Sequence, residues 1–137
     1  MGPKTIEFEE GFRRYIGCKN TVAVNSCTAA LHLALKAIGL RQGDEVITSP
    51  FTFAATGEVI CHFKARPVFV DIERDTCNIN VNKIEEKITQ KTKAIIPVHY
   101  GGQPCDMDEI MEIARRYNLF VIEDAAMPFL LFIKEKR

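Results

Sequence analysis

The alternation of short apolar runs with longer helical stretches is what most narrows the fold. Five apolar runs recur along the 137 residues, at 21–24, 45–48, 67–70, 94–98 and 120–122. None is long, and within each the apolar residues are nearly continuous rather than alternating. A strand reads this way when both of its faces are buried, and repeated strand–helix units place helices on both sides of a parallel sheet. The pattern predicts an α/β fold: three layers, α/β/α, around a mostly parallel five-stranded sheet. Helical spacing separates the runs. Phe8, Phe12, Tyr15 and Ile16 fall on one face of a helix over 4–16, which Gly17 stops. Leu31, Leu35 and Ile38 form the stripe of a second helix ending at Gly39. A third is expected over 54–63, a short one carries Val81, Ile84 and Ile88, and a last one carries Ile110, Met111, Ala114 and Tyr117. Pro97 inside the fourth run calls for an edge strand or an irregular end.

Polar residues gather just past the runs: Asn25-Ser26, Thr48-Ser49, Asp71, His99 and Glu123-Asp124. Open α/β sheets bind ligands at those carboxyl ends. In Asn25-Ser26-Cys27-Thr28-Ala29-Ala30-Leu31, Ser26 is a natural N-cap and the first-turn side chains are small. Unbonded N–H groups and the helix dipole favour an anion there, so the stretch reads either as a phosphate cup or as a capped helix without a ligand. Phe51 and Phe53 follow the second run, and Asp124 follows the fifth. A flat ring with a phosphate tail satisfies all three features. The cup takes the phosphate, an aromatic side chain covers the ring, and a carboxylate pairs with a protonated ring nitrogen, as in pyridoxal phosphate sites. Taken singly, a phenylalanine such as Phe53 is more often core than platform, and Asp124 at a strand end equally suits a helix cap.

Other chemistries lose support. Eighteen basic and eighteen acidic residues balance, which gives no reason to expect nucleic acid or an anionic membrane as partner. No apolar run approaches the roughly 20 residues of a membrane span, and Met1-Gly2-Pro3-Lys4 leads into acidic residues rather than a secretory signal. Five widely spaced cysteines and three histidines show no metal-ligand spacing, so reduced thiols in a cytoplasmic protein are expected. The glycine patterns of dinucleotide and P-loop sites are missing, as is a serine nucleophile elbow.

Taken together, Phe12-Arg13-Arg14-Tyr15-Ile16-Gly17, the segment from Asn25 to Leu33, Gly43-Asp44-Glu45-Val46-Ile47-Thr48, Phe51-Thr52-Phe53-Ala54-Ala55-Thr56, Pro67-Val68-Phe69-Val70-Asp71-Ile72, Ile96-Pro97-Val98-His99 and Glu123-Asp124-Ala125-Ala126 resemble the N-terminal part of the DegT/StrS-type nucleotide-sugar aminotransferases. These are fold-type I pyridoxal-phosphate enzymes. The resemblance implies a partial transferase large domain over 1–126, a truncated form of a seven-stranded sheet whose last two strands lie between the first and fifth, and a divergent tail over 127–137. It implies cofactor contacts from Cys27 and Thr28 to the phosphate with Ser26 supporting the turn, from Phe53 to the ring face, and from Asp124 to the ring nitrogen. A keto-sugar nucleotide, an amino-acid donor such as glutamate, and a homo-oligomer follow by the same resemblance.

Two departures shape the expected function. Met127 stands where the family usually has Gln or His near the cofactor's phenolic oxygen. The Schiff-base lysine lies beyond this region in the family, and Lys134 and Lys136 are too near Asp124 in sequence to replace it. The expectation is a truncated homologue with no catalytic residue of its own, inactive alone. Residues 129–133, all apolar, are expected to close part of the sheet gap or to pair with a second chain. Two further readings stand beside this one. The first is a non-catalytic domain that binds a small phosphate compound or a protein. The second is a flavodoxin-like regulatory domain, for which acidic residues would be wanted at Asn25-Ser26.

Overall fold

A computed structural model describes residues 2–127 of the chain. Helix α1 (Pro3–Ile16) begins with proline in its first turn and stops at Gly17, whose φ of 74° lets its N–H return to the Arg13 carbonyl. Helix α2 (Cys27–Ala37) follows, then strand β1 (Glu45–Thr48), helix α3 (Ala54–Cys61) and strand β2 (Arg66–Phe69). Two short 3-10 turns, Val81–Lys83 and Glu85–Lys87, precede strand β3 (Thr92–Ile96). Helix α4 (Met107–Tyr117) leads to strand β4 (Phe120–Val121). The strands are parallel and lie side by side in the order β2-β1-β3-β4.

The core follows from the two-residue period of a strand. On β1, Val46 faces one side of the sheet and Ile47 the other; on β3, Ala94 and Ile96 share the Val46 side and Ile95 the Ile47 side. Leu31 and Leu35 of α2 and Val59 and Ile60 of α3 cover the first face. Ile110, Ile113 and Ala114 of α4, with Val81 and Ile84 from the 3-10 turns, cover the second. The three-layer α/β/α architecture is the expected one.

Several local expectations are corrected. Residues 21–24 form no strand, so the described sheet has four strands rather than five. A β conformation is held by a partner ladder. The Ala23 N–H instead donates to Glu9 Oε1 at 2.7 Å, and Val22 and Val24 stay exposed. Helix α1 forms, but Phe8, Phe12, Tyr15 and Ile16 are all exposed. The stripe of α4 that is buried runs through Ile110, Ile113 and Ala114, leaving Met111 and Tyr117 partly in solvent. The short helix over Val81 and Ile84 is the pair of 3-10 turns. Strand β3 is interior, and Pro97 marks its irregular end rather than an edge. Residues 128–137, which include the expected closing segment at 129–133, lie outside the described residues. Among the described residues no helix is long and apolar enough to cross a membrane.

Glu45, at the buried start of β1, ties three segments together. Its carboxylate accepts from Thr89 Oγ1 at 2.7 Å and pairs with Arg66 of β2 at 2.6 Å. The Thr89 hydroxyl first, and the Arg66 guanidinium after it, hold the Glu45 carboxyl below its usual range. A carboxylate depressed on folding adds stability above its unfolded value of about 4.3, and that stability fades as pH falls through the lower folded value. Denaturant melts from pH 7 to pH 3 should show the native chain losing stability across this acid window. Glu45→Gln should start lower at pH 7 and show a shallower acid slope. Ile47→Ala, at a fully buried site on the interior strand, should cost about 2–5 kcal/mol in the same melts.

Candidate functional site

The parallel strands point their carboxyl ends the same way, and the polar residues that follow them meet there. Beyond β4 the pairing with the β3 side continues without a formal strand. The Asp124 N–H donates to the Pro97 carbonyl at 2.9 Å and the His99 N–H donates to the Asp124 carbonyl at 3.1 Å. This backbone pairing places the Asp124 side chain, only 6% exposed, at the mouth of the sheet.

Asp124 is met there by α2 and α3. Thr56 Oγ1 donates to Asp124 Oδ2 at 2.8 Å, and the Cys27 thiol donates to Oδ1 at 3.7 Å. The Ala126 N–H also reaches Oδ1, at 3.3 Å. Partial burial, and then the Asp124 charge, push the Cys27 thiol up, so the sulfur keeps its proton for this contact. Segments 97 residues apart in sequence are thereby joined at the first turn of one helix and the end of the last strand.

The turn before α2 is built as its sequence implies. Ser26 is extended, at φ −161° and ψ 158°, and its hydroxyl accepts from the Ala29 N–H at 3.1 Å. That bond satisfies one of the helix's initial donors. The N–H groups of Cys27 and Thr28 have no carbonyl within the helix to bond. Ser26, Cys27 and Thr28 are exposed, beside the Asp124 carboxylate. The site therefore pairs an anion-favouring helix start with a carboxylate suited to a cationic nitrogen. The thiol of Cys27 is turned to Asp124, so what that residue offers an anion is its backbone N–H.

Phe53 is the N-cap residue of α3 and is 82% exposed. It lies in no core cluster, so the core reading of this side chain is set aside. Phe51 packs against Tyr100 with ring centroids 4.5 Å apart. A second cluster braces the same end of the sheet. His99 Nδ1 accepts the Cys105 N–H at 3.1 Å, while Nε2 lies 3.0 Å from Glu123. The Cys105 side chain and then the Glu123 carboxylate push the imidazole up, with burial opposing. The Cys105 N–H works against that rise, because it needs a lone pair on Nδ1. The neutral imidazole with its proton on Nε2 satisfies every contact. The His99 bond in turn holds the Glu123 carboxyl below its usual range.

The sequence and its family resemblance point to five residues: Ser26, Cys27, Thr28, Phe53 and Asp124. The fold brings Cys27 into contact with Asp124, with Ser26 and Thr28 on the same turn, and sets Phe53 one turn ahead of Thr56 on α3. Thr56 carries no local sequence signal of this contact. It sits inside an apolar helical stretch, and its partner lies 68 residues away. The His99–Glu123 pair was visible only as two polar residues after two different strands.

Comparison with known proteins identifies the family. The pattern of the DegT/DnrJ/EryC1/StrS aminotransferase family matches residues 1–137. The chain is 57% identical over 125 residues to the spore coat polysaccharide biosynthesis protein SpsC of Bacillus subtilis, covering 91% of this chain and 32% of that protein. It is 50% identical over 126 residues to GDP-perosamine synthase of Caulobacter vibrioides, covering 92% and 34%. The structure of NtdA from Bacillus subtilis with bound cofactor PMP superposes with a TM-score of 0.92 at 41% identity, covering 94% of this chain and 30% of that one. The chain thus spans about a third of the length of these relatives. With the family pattern matched over the whole chain and the fold shared with its solved members, the chain belongs to the DegT/DnrJ/EryC1/StrS aminotransferase family.

Proposed function

We propose that residues 1–126 form the cofactor-docking part of a pyridoxal-phosphate-dependent sugar aminotransferase, acting on a keto-sugar nucleotide with an amino-acid donor. The observation that carries the reading is the 3.7 Å contact between Cys27 and Asp124, which puts the start of α2 and the buried carboxylate on one small volume. The donor set fits the cofactor: main-chain N–H groups for a phosphate, an exposed ring at Phe53, and a carboxylate already held by hydrogen bonds.

Each residue has a defined task. The N–H groups of Cys27 and Thr28 bind the phosphate, and Ser26 keeps the turn that aims them. Phe53 covers one face of the ring. Asp124 keeps the proton on the ring nitrogen by pairing with it. Pyridoxal phosphate, when bound, supplies an electron-withdrawing ring that stabilises negative charge on the carbon beside the transferred nitrogen. Met127 has no strong polar atom for the phenolic oxygen. The lysine that anchors the cofactor is supplied from outside residues 1–126. The relatives named for perosamine and spore-coat polysaccharide synthesis support the sugar class. Five free thiols suit the cytoplasm, and the exposed face of α1 suits self-association.

Titration of the chain with pyridoxal 5′-phosphate, followed by absorbance, tests the reading. Reversible binding is expected, weakened about tenfold or more in Asp124→Ala, the scale of one charge-assisted contact. Borohydride should leave no stable lysine adduct. Binding indifferent to Asp124→Ala and matched by inorganic phosphate would instead indicate a simple phosphate-binding domain, and no binding would end the proposal.

A further inference from the structure

We infer that Thr56 is the positioning residue for Asp124: its hydroxyl fixes one carboxylate oxygen so that the other is presented to the ring nitrogen. The inference rests on the reading of Asp124 as the partner of that nitrogen. Thr56 is 1% exposed and lies on α3, one turn after Phe53. Its Oγ1 is 2.8 Å from Asp124 Oδ2 and 2.8 Å from Thr52 Oγ1.

The direction of this hydroxyl chain follows from charge. A carboxylate offers no proton, so Thr56 donates to Asp124. The single proton of Thr56 is then committed, so Thr52 donates to Thr56. Two hydroxyls thus point their protons, in sequence, at one oxygen of a buried anion, and hydrogen bonds to an ionised acceptor are the stronger kind. Oδ1 has weaker company: a thiol at 3.7 Å and an N–H at 3.3 Å. Oδ1 is therefore the oxygen left to take a strong donor from a ligand. Without the Thr56 hydroxyl the carboxylate is free to turn about its terminal torsion, which is broad for aspartate. Because Phe53 caps the helix that carries Thr56, α3 sets the ring face and the ring nitrogen's partner together. Its register fixes the distance between them.

The test compares two ligands on the 137-residue chain: pyridoxal 5′-phosphate and its analogue with CH in place of the ring nitrogen. Both carry the same phosphate and ring face; only the first can pair with Asp124. Thr56→Val should weaken pyridoxal 5′-phosphate about tenfold, the scale of a hydrogen bond to a charged group, and move the analogue by less than about twofold. Thr56→Ser, which restores the hydroxyl, should return the affinity for pyridoxal 5′-phosphate. Thr52→Val should give a smaller loss with the same selectivity, and it serves if Thr56→Val does not fold. An equal loss on both ligands, or no loss on either, would overturn the positioning role while leaving the docking site standing. Failure of the native chain to bind either ligand would overturn the site itself, and this role with it.

Discussion

The structure depends on the parallel pairing of β1 with β3. These two strands lie inside the sheet, and their side chains alternate strictly between its two faces. That alternation gives the protein two apolar clusters rather than one. Each recruits its own helices, α2 and α3 on one side and α4 on the other. At roughly 25 cal/mol per Å² of buried apolar surface, burial on both faces lets successive residues of this pair stabilise the fold from opposite sides of the sheet. It also fixes direction: once the interior strands are parallel, every loop that follows a strand opens at the same end.

The proposed cofactor site uses that shared end. Asp124 is held by backbone pairing to the segment just beyond β3, where Pro97 ends the regular strand. A side chain there is buried enough to need partners, and the neighbouring helices provide them. Thr56 comes from one helix and Cys27 from the other. Every buried polar side-chain nitrogen and oxygen among the described residues has a partner, and at the carboxylate it is Oδ2 that is firmly held. The same end carries His99 and Glu123 on the opposite side of the 123–124 step, where they brace the loop after β3. Catalytic geometry in such a fold is inherited from sheet register, because the positions of the polar groups are set by residues in the strands below them.

Local chemistry was legible from residues alone where it depends on near neighbours. Gly17 ends α1 because it can take positive φ, and Ser26 caps α2 because its hydroxyl reaches an N–H three residues on. The runs at 45–48 and 94–98 read as strands buried on both faces because their apolar residues are nearly continuous, but that the second of them lies inside the sheet, despite Pro97, is set by its partners. The run at 21–24 has the same local character and forms no strand, since a strand is made by its neighbour. Phe8, Phe12, Tyr15 and Ile16 likewise form the apolar stripe their spacing implies, yet they pack into neither core cluster. Periodicity tells which residues share a face; it does not tell what meets that face.

By itself the amino-acid sequence determined the α/β class, the caps and turns, and a cup-like turn at the start of α2, because each rests on contacts within a few residues. The tertiary structure alone decided the strand order, the pairing of Cys27 and Thr56 with Asp124, and the hydroxyl chain from Thr52. Those contacts join positions up to 97 residues apart. Their geometry is set by how the helices seat on the two faces of the sheet, and no periodicity in the chain encodes that seating.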